Sequence, residues 1–392
     1  MTQRFLAAGA NPELINLAGG LPAPQTYPVP EIAAIAKQVI ETHPVETLGY
    51  GPIEGLPSLR RALAQRLSSR ALRLTPENIL VTTSGMQGLD LVGKVLLEEG
   101  GIVAGQFPTY LGALDAWRPR RPAFRNLVLE SPEFDPVAAM AGAQFTYTVP
   151  NFSNPSGRLV DMALRERLVD AAQSTGVWLV EDDPYGGLHY DRSPLPRLID
   201  LSAERHGGPN GLGGPNGYGG PVIYTGTLSK AVAPGLRIGW VVAAPEMIRA
   251  LTTAKQGSDM CTSGVTQHIA LAALENGLIE RVQPVIVELY RKRRDALCLA
   301  MKAHLSAWFD WEVPVGGMFV WAVARDPSLD TERLFQLALE AGVCIAPSSV
   351  FDASGRNRSA MRLNFTLNPP ERLDEGVRRL AEATRHLCED KA

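Results

Sequence analysis

Short apolar runs bounded by Gly, Pro, Asn and Asp alternate along this chain with longer stretches whose apolar residues return at helical spacing. NILVTTSG (78–85), GGIVAGQFP (100–108), AQFTYTVPN (143–151), VWLVEDDP (177–184), PVIYTGTL (221–228) and RIGWVVAAP (237–245) read as buried strands. Between them, QGLDLVGKVLLEEG (87–100), LGALDAW (111–117) and LVDMALRERLVDAAQSTG (159–176) read as helices. Such alternation predicts an α/β unit with a largely parallel sheet covered on both faces. A second, smaller α+β unit is expected after ENGLIERVQ. There a long charged helical stretch (281–303) precedes one strand-like segment, WEVPVGGMFVWAVA (311–324), then a helix, then VCIAPSSVF (343–351) and MRLNFTL (361–367). The Gly/Pro/Asn stretch at 207–221 reads as a flexible surface insertion.

Ligands gather at the carboxyl ends of strands in parallel sheets. Each unusual polar cluster of the chain falls at such an end: TTSGMQ (82–87), NFSNPSG (151–157), EDDPY (181–185) and TLSK (227–230). Lys230 lies in a loop joining two apolar strands, where a charge must be solvated, paired or lost. It is either an exposed turn lysine or a desolvated amine acting as a nucleophile. The remaining lysines (37, 94, 255, 292, 302 and 391) mostly sit in charged or amphipathic helical contexts, where a solvated face is expected.

The other clusters carry paired readings too. Ser84, Gly85 and Met86 open a helix, either as an ordinary serine N-cap or as an anion cradle that Arg237 and Thr227 would complete. Asp182 is a turn carboxylate or the counter-ion of a protonated pyridine nitrogen, with Tyr185 within reach of a ring hydroxyl. Asn154 shapes an Asn-Pro turn or donates to that same ring oxygen.

Composition narrows the classes. A formal net charge of -3 and the absence of a long basic run argue against nucleic acid as a partner. RKRR at 291–294 is followed by Asp295 in a helical pattern and reads as a solvated face. No apolar run reaches membrane-spanning length, and the first residues lack the apolar core of a signal peptide. Four dispersed cysteines and six scattered histidines predict free thiols, a cytoplasmic protein and no metal site.

In chain order, the cradle, Asn-Pro-x-Gly, Asp-x-x-Tyr and Ser-Lys-x(6)-Arg resemble fold-type I pyridoxal-phosphate enzymes, the class I/II aminotransferases. The resemblance spans almost the whole chain. It is nearest to the 2-aminoadipate/kynurenine aminotransferase branch through LAGGLPAP (17–24), LGYGPIEGLPSLR (48–60), EDDPYGGL (181–188), LSKAVAPGLRIGW (228–240), GGMFVW (316–321) and MRLNFT (361–366). It implies a large domain (45–280) built on a mostly parallel seven-stranded sheet, a small α+β domain (281–392), and an N-terminal segment (1–44) packed with the latter.

By the same resemblance the cofactor is pyridoxal 5'-phosphate, bonded covalently by Lys230. Asp182 pairs with the pyridine nitrogen, and Asn154 and Tyr185 bind the ring oxygen. Ser84, Gly85, Met86, Thr227, Ser229 and Arg237 surround the phosphate, and Tyr110 stacks on the ring. Tyr50 reaches a partner's phosphate across a homodimer, Arg362 clamps the substrate α-carboxylate, and Gly20 lies nearby. Arg4 is either a frayed terminal arginine or the partner of a distal substrate carboxylate. The cradle reads Ser-Gly-Met here where the family usually has Gly-Ser-Gln, and the chain starts short of the longer N-terminal segment common in this branch. The implied reaction is transamination between L-amino acids and 2-oxo acids; a β-lyase, decarboxylase or racemase on the same cofactor, or a cofactor-sensing regulator, are the alternatives.

Overall fold

In the computed structural model, which describes residues 11–207 and 217–389, seven strands form the central sheet. Their spatial order is Ile79–Thr82, Gly239–Val242, Val222–Thr227, Trp178–Asp182, Phe145–Thr148, Ile102–Gly105 and Ala123–Asn126. Gly239–Val242 runs antiparallel to both neighbours, and every other pairing is parallel. The sheet is therefore the mostly parallel one expected.

Period-two alternation assigns the buried apolar strand residues to one of two cores. Leu80, Val103, Val180, Ile223 and Val241 pack on one face with Leu89, Val92 and Trp117 from the covering helices. Ile79, Val81, Leu179, Val222 and Val242 pack on the other with Leu59, Leu63, Leu168, Val169 and Leu198. Burial on both faces explains why these strands read as continuous apolar runs.

The second sheet has four antiparallel strands in the order Ala346–Pro347, Ala360–Asn364, Phe319–Ala324 and Phe309–Trp311. Helices Leu278–His304, Thr331–Glu340 and Pro370–Glu389 flank it. The single strand expected over 311–324 is instead broken. Phe309–Trp311 ends before Pro314, and Gly317 takes φ 76°, a turn conformation that suits glycine. A Cβ on Gly316 would lie 2.2 Å from the Phe152 ring, so that turn must approach the large sheet closely.

The chain enters along this second sheet. Ile15–Asn16 pairs in parallel with Val343–Cys344, and Asn364 N donates to Leu17 O at 2.7 Å. That path carries Gly19 and Gly20 to the space between the two sheets.

Two expectations need correction. Most of the 207–221 stretch lies outside the described residues, but its last part is not surface. Tyr218 is fully buried, donates to Ser202 Oγ at 3.1 Å and accepts from Val222 N at 2.9 Å, because one aromatic ring with a satisfied hydroxyl can anchor a glycine-rich segment. Lys255, expected on a solvated helix face, is 0 % exposed and paired with Asp259. Among the described residues no helix is long and apolar enough to cross a membrane.

Candidate active site

A cavity of about 440 Å³ opens at the carboxyl ends of the central strands, between the two sheets. It collects Lys230, Asp182, Tyr185, Asn154, Tyr110, Ser84, Gly85, Met86, Thr227, Ser229, Arg237, Gly20 and Arg362, residues spread over more than 340 positions of sequence. Tyr50 is 90 % exposed and lies outside this cavity. Arg4 lies outside the described residues.

Lys230 follows the strand Val222–Thr227, and its Nζ donates to Gly20 O at 2.9 Å. Burial, then the cations of Arg362 and Arg237, lower its pKa to about 8. This is the desolvated-amine reading rather than the exposed turn: about a tenth of the lysine is uncharged at pH 7, far more than for an ordinary lysine, and able to attack a carbonyl carbon.

Asp182 ends the strand Trp178–Asp182, and both of its oxygens are engaged. Tyr147 Oη donates to Oδ2 and Thr225 Oγ1 to Oδ1, each at 2.8 Å. Burial lifts the carboxyl to about 6 against the pull of these two donors. A cation placed beside it would restore full ionisation, so the position favours a protonated ring nitrogen. Neither holder was foreseen. Tyr147 reads as core in a buried strand, although the run Phe-Thr-Tyr-Thr at 145–148 puts three hydroxyls inside a fully buried element, which is a signal of polar work.

The anion cradle is strained. Ser84 precedes the helix Gly85–Leu96 with φ 77° and ψ 166°, and its side chain makes no cap to the first helical turn. The ordinary N-cap reading therefore fails; the hydroxyl instead accepts from Arg237 Nη2 at 2.6 Å. Arg237 has φ 50°, so both partners hold backbone conformations costing roughly 1–3 kcal/mol each. Gly239 permits this approach, because a Cβ there would lie 2.6 Å from Gly85 N. A Cβ on Gly85, by contrast, would meet nothing within 4 Å. Helix N–H groups, an arginine and the Thr227 and Ser229 hydroxyls, 2.9 Å apart, thus border open space suited to a phosphate.

Asn154 links the remaining groups. Its Nδ2 donates to Tyr185 Oη at 3.5 Å, and its Oδ1 accepts from Arg362 Nη1 at 2.6 Å. Burial raises the Tyr185 hydroxyl, which stays a neutral donor, and pushes Tyr110 up to about 12. Arg362 is 6 % exposed, its second terminal nitrogen donating to Ala18 O. Its guanidinium carbon lies 4.2 Å from the Phe319 ring centroid and 4.7 Å from that of Phe351. Burial lowers it to about 10, opposed by Tyr185 and Tyr110. Its hydrogen-bond partners among the described residues are an amide and a main-chain carbonyl, neither an anion, and Nε has no partner. A buried cation so placed calls for a carboxylate.

A reactive amine, an acid for a ring nitrogen, donors for a ring oxygen and an open anion cradle fit pyridoxal 5'-phosphate. Comparison with known proteins agrees. The family model of aminotransferases class I and II matches residues 12–380. The chain is 37 % identical to aromatic-amino-acid aminotransferase 1 of Thermococcus litoralis, over 94 % of this chain and 88 % of that one. It is 36 % identical to 2-aminoadipate transaminase of Thermus thermophilus, over 98 % and 94 %. The solved α-aminoadipate aminotransferase of Thermus thermophilus, complexed with N-(5'-phosphopyridoxyl)-L-leucine, superposes with a TM-score of 0.88 at 34 % identity, covering 99 % of this chain and 95 % of that one. This chain belongs to the class I and II aminotransferases and is a pyridoxal-phosphate-dependent enzyme of the fold-type I kind.

Proposed function

We propose that the enzyme moves an amino group from an L-amino acid with a 2-aminoadipate-, leucine- or aromatic-like side chain to a 2-oxo acid such as 2-oxoglutarate, in two half-reactions. The observation that carries this reading is the buried Arg362 guanidinium, without an anionic partner among the described residues and lining one cavity with Lys230. All L-amino acids and 2-oxo acids share the carboxylate that such a group binds.

When bound, pyridoxal phosphate supplies an electron sink that stabilises negative charge at the substrate α-carbon. The chain's residues do the rest. Lys230 would hold the cofactor covalently through its amine and would carry the proton at the substrate α-carbon. Asp182 holds positive charge at the ring nitrogen, with Tyr147 and Thr225 fixing its two oxygens. Asn154 and Tyr185 would hold the ring oxygen, Tyr110 would cover the ring, and Ser84, Gly85, Met86, Thr227, Ser229 and Arg237 would take the phosphate. Arg362 fixes the α-carboxylate beside Gly20.

The domain division at residues 44 and 280 is part of the same reading. Pairing of Ile15–Asn16 with Val343–Cys344 supports packing of the start of the N-terminal segment with the small domain, whereas Ile35 and Val39 of its helix Val29–Thr42 join the large-domain core. A cytoplasmic location suits the four free cysteines; cell fractionation tests it.

The active unit is a homodimer in which Tyr50 reaches the partner's phosphate. Val45, Leu48 and Tyr50 are 78, 69 and 90 % exposed within six residues, an apolar cluster that suits burial between subunits. Tyr50→Phe should leave the sedimenting dimer intact while raising the cofactor dissociation constant about tenfold. A fully active monomer at assay concentration contradicts this.

Selectivity among side chains falls to Arg4, proposed as the partner of a distal carboxylate. Arg4→Ala should raise the Michaelis constant about tenfold or more for glutamate, 2-aminoadipate and 2-oxoglutarate, and leave leucine and aromatic substrates within about twofold. Equal effects on both classes, or none, remove Arg4 from that role.

A further inference from the structure

Ser84 holds a backbone conformation that residues with side chains adopt only where their surroundings over-determine it. Arg237 and Gly239 brace it from the cavity side and the neighbouring strand. A second set of groups braces it from behind, and none of them lines the cavity. Thr83, the residue before the cradle, donates its N–H to Gln87 Oε1 at 2.8 Å. Its hydroxyl donates to Asp259 Oδ2 at 2.8 Å and lies 3.2 Å from Thr262 Oγ1. The Gln87 side chain also favours the charged form of the Asp259 carboxyl.

Asp259 is itself tied down. Lys255 Nζ donates to its other oxygen, Oδ1, from the helix Pro245–Gln256. Lys255 is 0 % exposed, and a buried ammonium deprived of its carboxylate is strongly destabilised. Burial acts to raise the Asp259 carboxyl, but Lys255, Gln87 and Thr83 outweigh it and leave the group below the usual carboxylate range. The carboxylate is therefore a fixed anion whose position is set by one helix and whose contacts fall on the turn that leads into another.

We propose that Asp259 is a positioning residue for the anion cradle: anchored by Lys255, it holds Thr83 and Gln87 so that Ser84, Gly85 and Met86 keep the shape that receives the cofactor phosphate. This rests on the phosphate reading of that cradle given above. Asp259 touches neither substrate nor cofactor, and its influence passes through the main chain of residues 83–87.

The test compares two ligands of the cofactor-free protein, pyridoxal 5'-phosphate and pyridoxal, which lacks the phosphate. Thr83→Val keeps the shape of the side chain and the Lys255–Asp259 pair but removes the hydroxyl that joins Asp259 to the turn. It should weaken pyridoxal 5'-phosphate about tenfold and leave pyridoxal unchanged. Asp259→Asn should widen the loss to about a hundredfold with the same selectivity. Thermal melting of both variants without ligand shows whether they fold, and if Asp259→Asn does not, Thr83→Val decides alone. An unchanged preference for the phosphorylated ligand in Thr83→Val, or equal losses for both ligands, overturns the proposal. Arg237→Leu separates this from failure of the cradle itself: if that variant also keeps the wild-type preference, the phosphate lies elsewhere.

Discussion

Replacing Lys230 with alanine is expected to abolish covalent attachment of the cofactor and to lower turnover by at least about ten-thousand-fold. The position is built for an uncharged amine. The pKa falls from 10.5 to about 8 through burial and the facing cations of Arg362 and Arg237. At pH 8 roughly half the side chain is then neutral, against well under one part in a hundred for an ordinary lysine. The sign follows from the chemistry. Only the neutral amine attacks, so the rate at which cofactor-free enzyme bonds its cofactor should climb with pH and level off above about 8 instead of above 10. Rapid-mixing absorbance measurements on wild type check the profile. The alanine variant should keep its melting temperature without cofactor, since a buried polar group is being removed. A variant that turned over within tenfold of wild type would show that another group carries the proton.

Arg362→Leu should lower kcat/KM by about 30- to 5,000-fold for every amino acid and every 2-oxo acid tested, whatever the side chain. That range corresponds to roughly 2–5 kcal/mol, the cost of truncating one partner of a buried, hydrogen-bonded charge pair. The guanidinium is held by Asn154, Ala18 O and two aromatic faces before substrate arrives, so little ordering remains to oppose binding. Arg362→Lys should recover only part of the loss, because a point charge cannot make the two-point contact. Affinity for the cofactor should change by less than about threefold in either variant. A loss confined to dicarboxylic substrates would move Arg362 to the distal carboxylate instead.

Strand ends were the legible part of this site. Fully buried parallel strands leave a plain apolar signature, and polar residues just past their ends stand out as Ser84, Asp182 and Lys230 do. Groups that act from inside elements were hidden. Tyr147 and Thr225 lie within buried strands, and only the cross-strand register, Asp182 opposite Thr225, brings the second to the carboxylate. Lys255 was misread because its charge suggested solvent, yet Ile248, Leu251 and Lys255 recur at helical spacing on the buried side of their helix. The edge strand Ala123–Asn126 went unseen for the opposite reason: half-exposed and containing Arg125, it lacks an apolar run. The break in 311–324 was signalled by Pro314 and two glycines, but the need for it lies in Phe152, more than 150 residues earlier.

Product analysis of a single half-reaction tests the assignment of transamination most directly. Cofactor-loaded enzyme is mixed with excess L-leucine or L-2-aminoadipate and no 2-oxo acid, and the products are counted against active sites. Transamination predicts one equivalent of the corresponding 2-oxo acid per site, then arrest, with no ammonia or carbon dioxide and no change of configuration in the remaining amino acid. Adding 2-oxoglutarate should then restart turnover and restore the starting absorbance of the bound cofactor. Continuous release of ammonia or carbon dioxide, or steady racemisation, without any 2-oxo acid acceptor would contradict it.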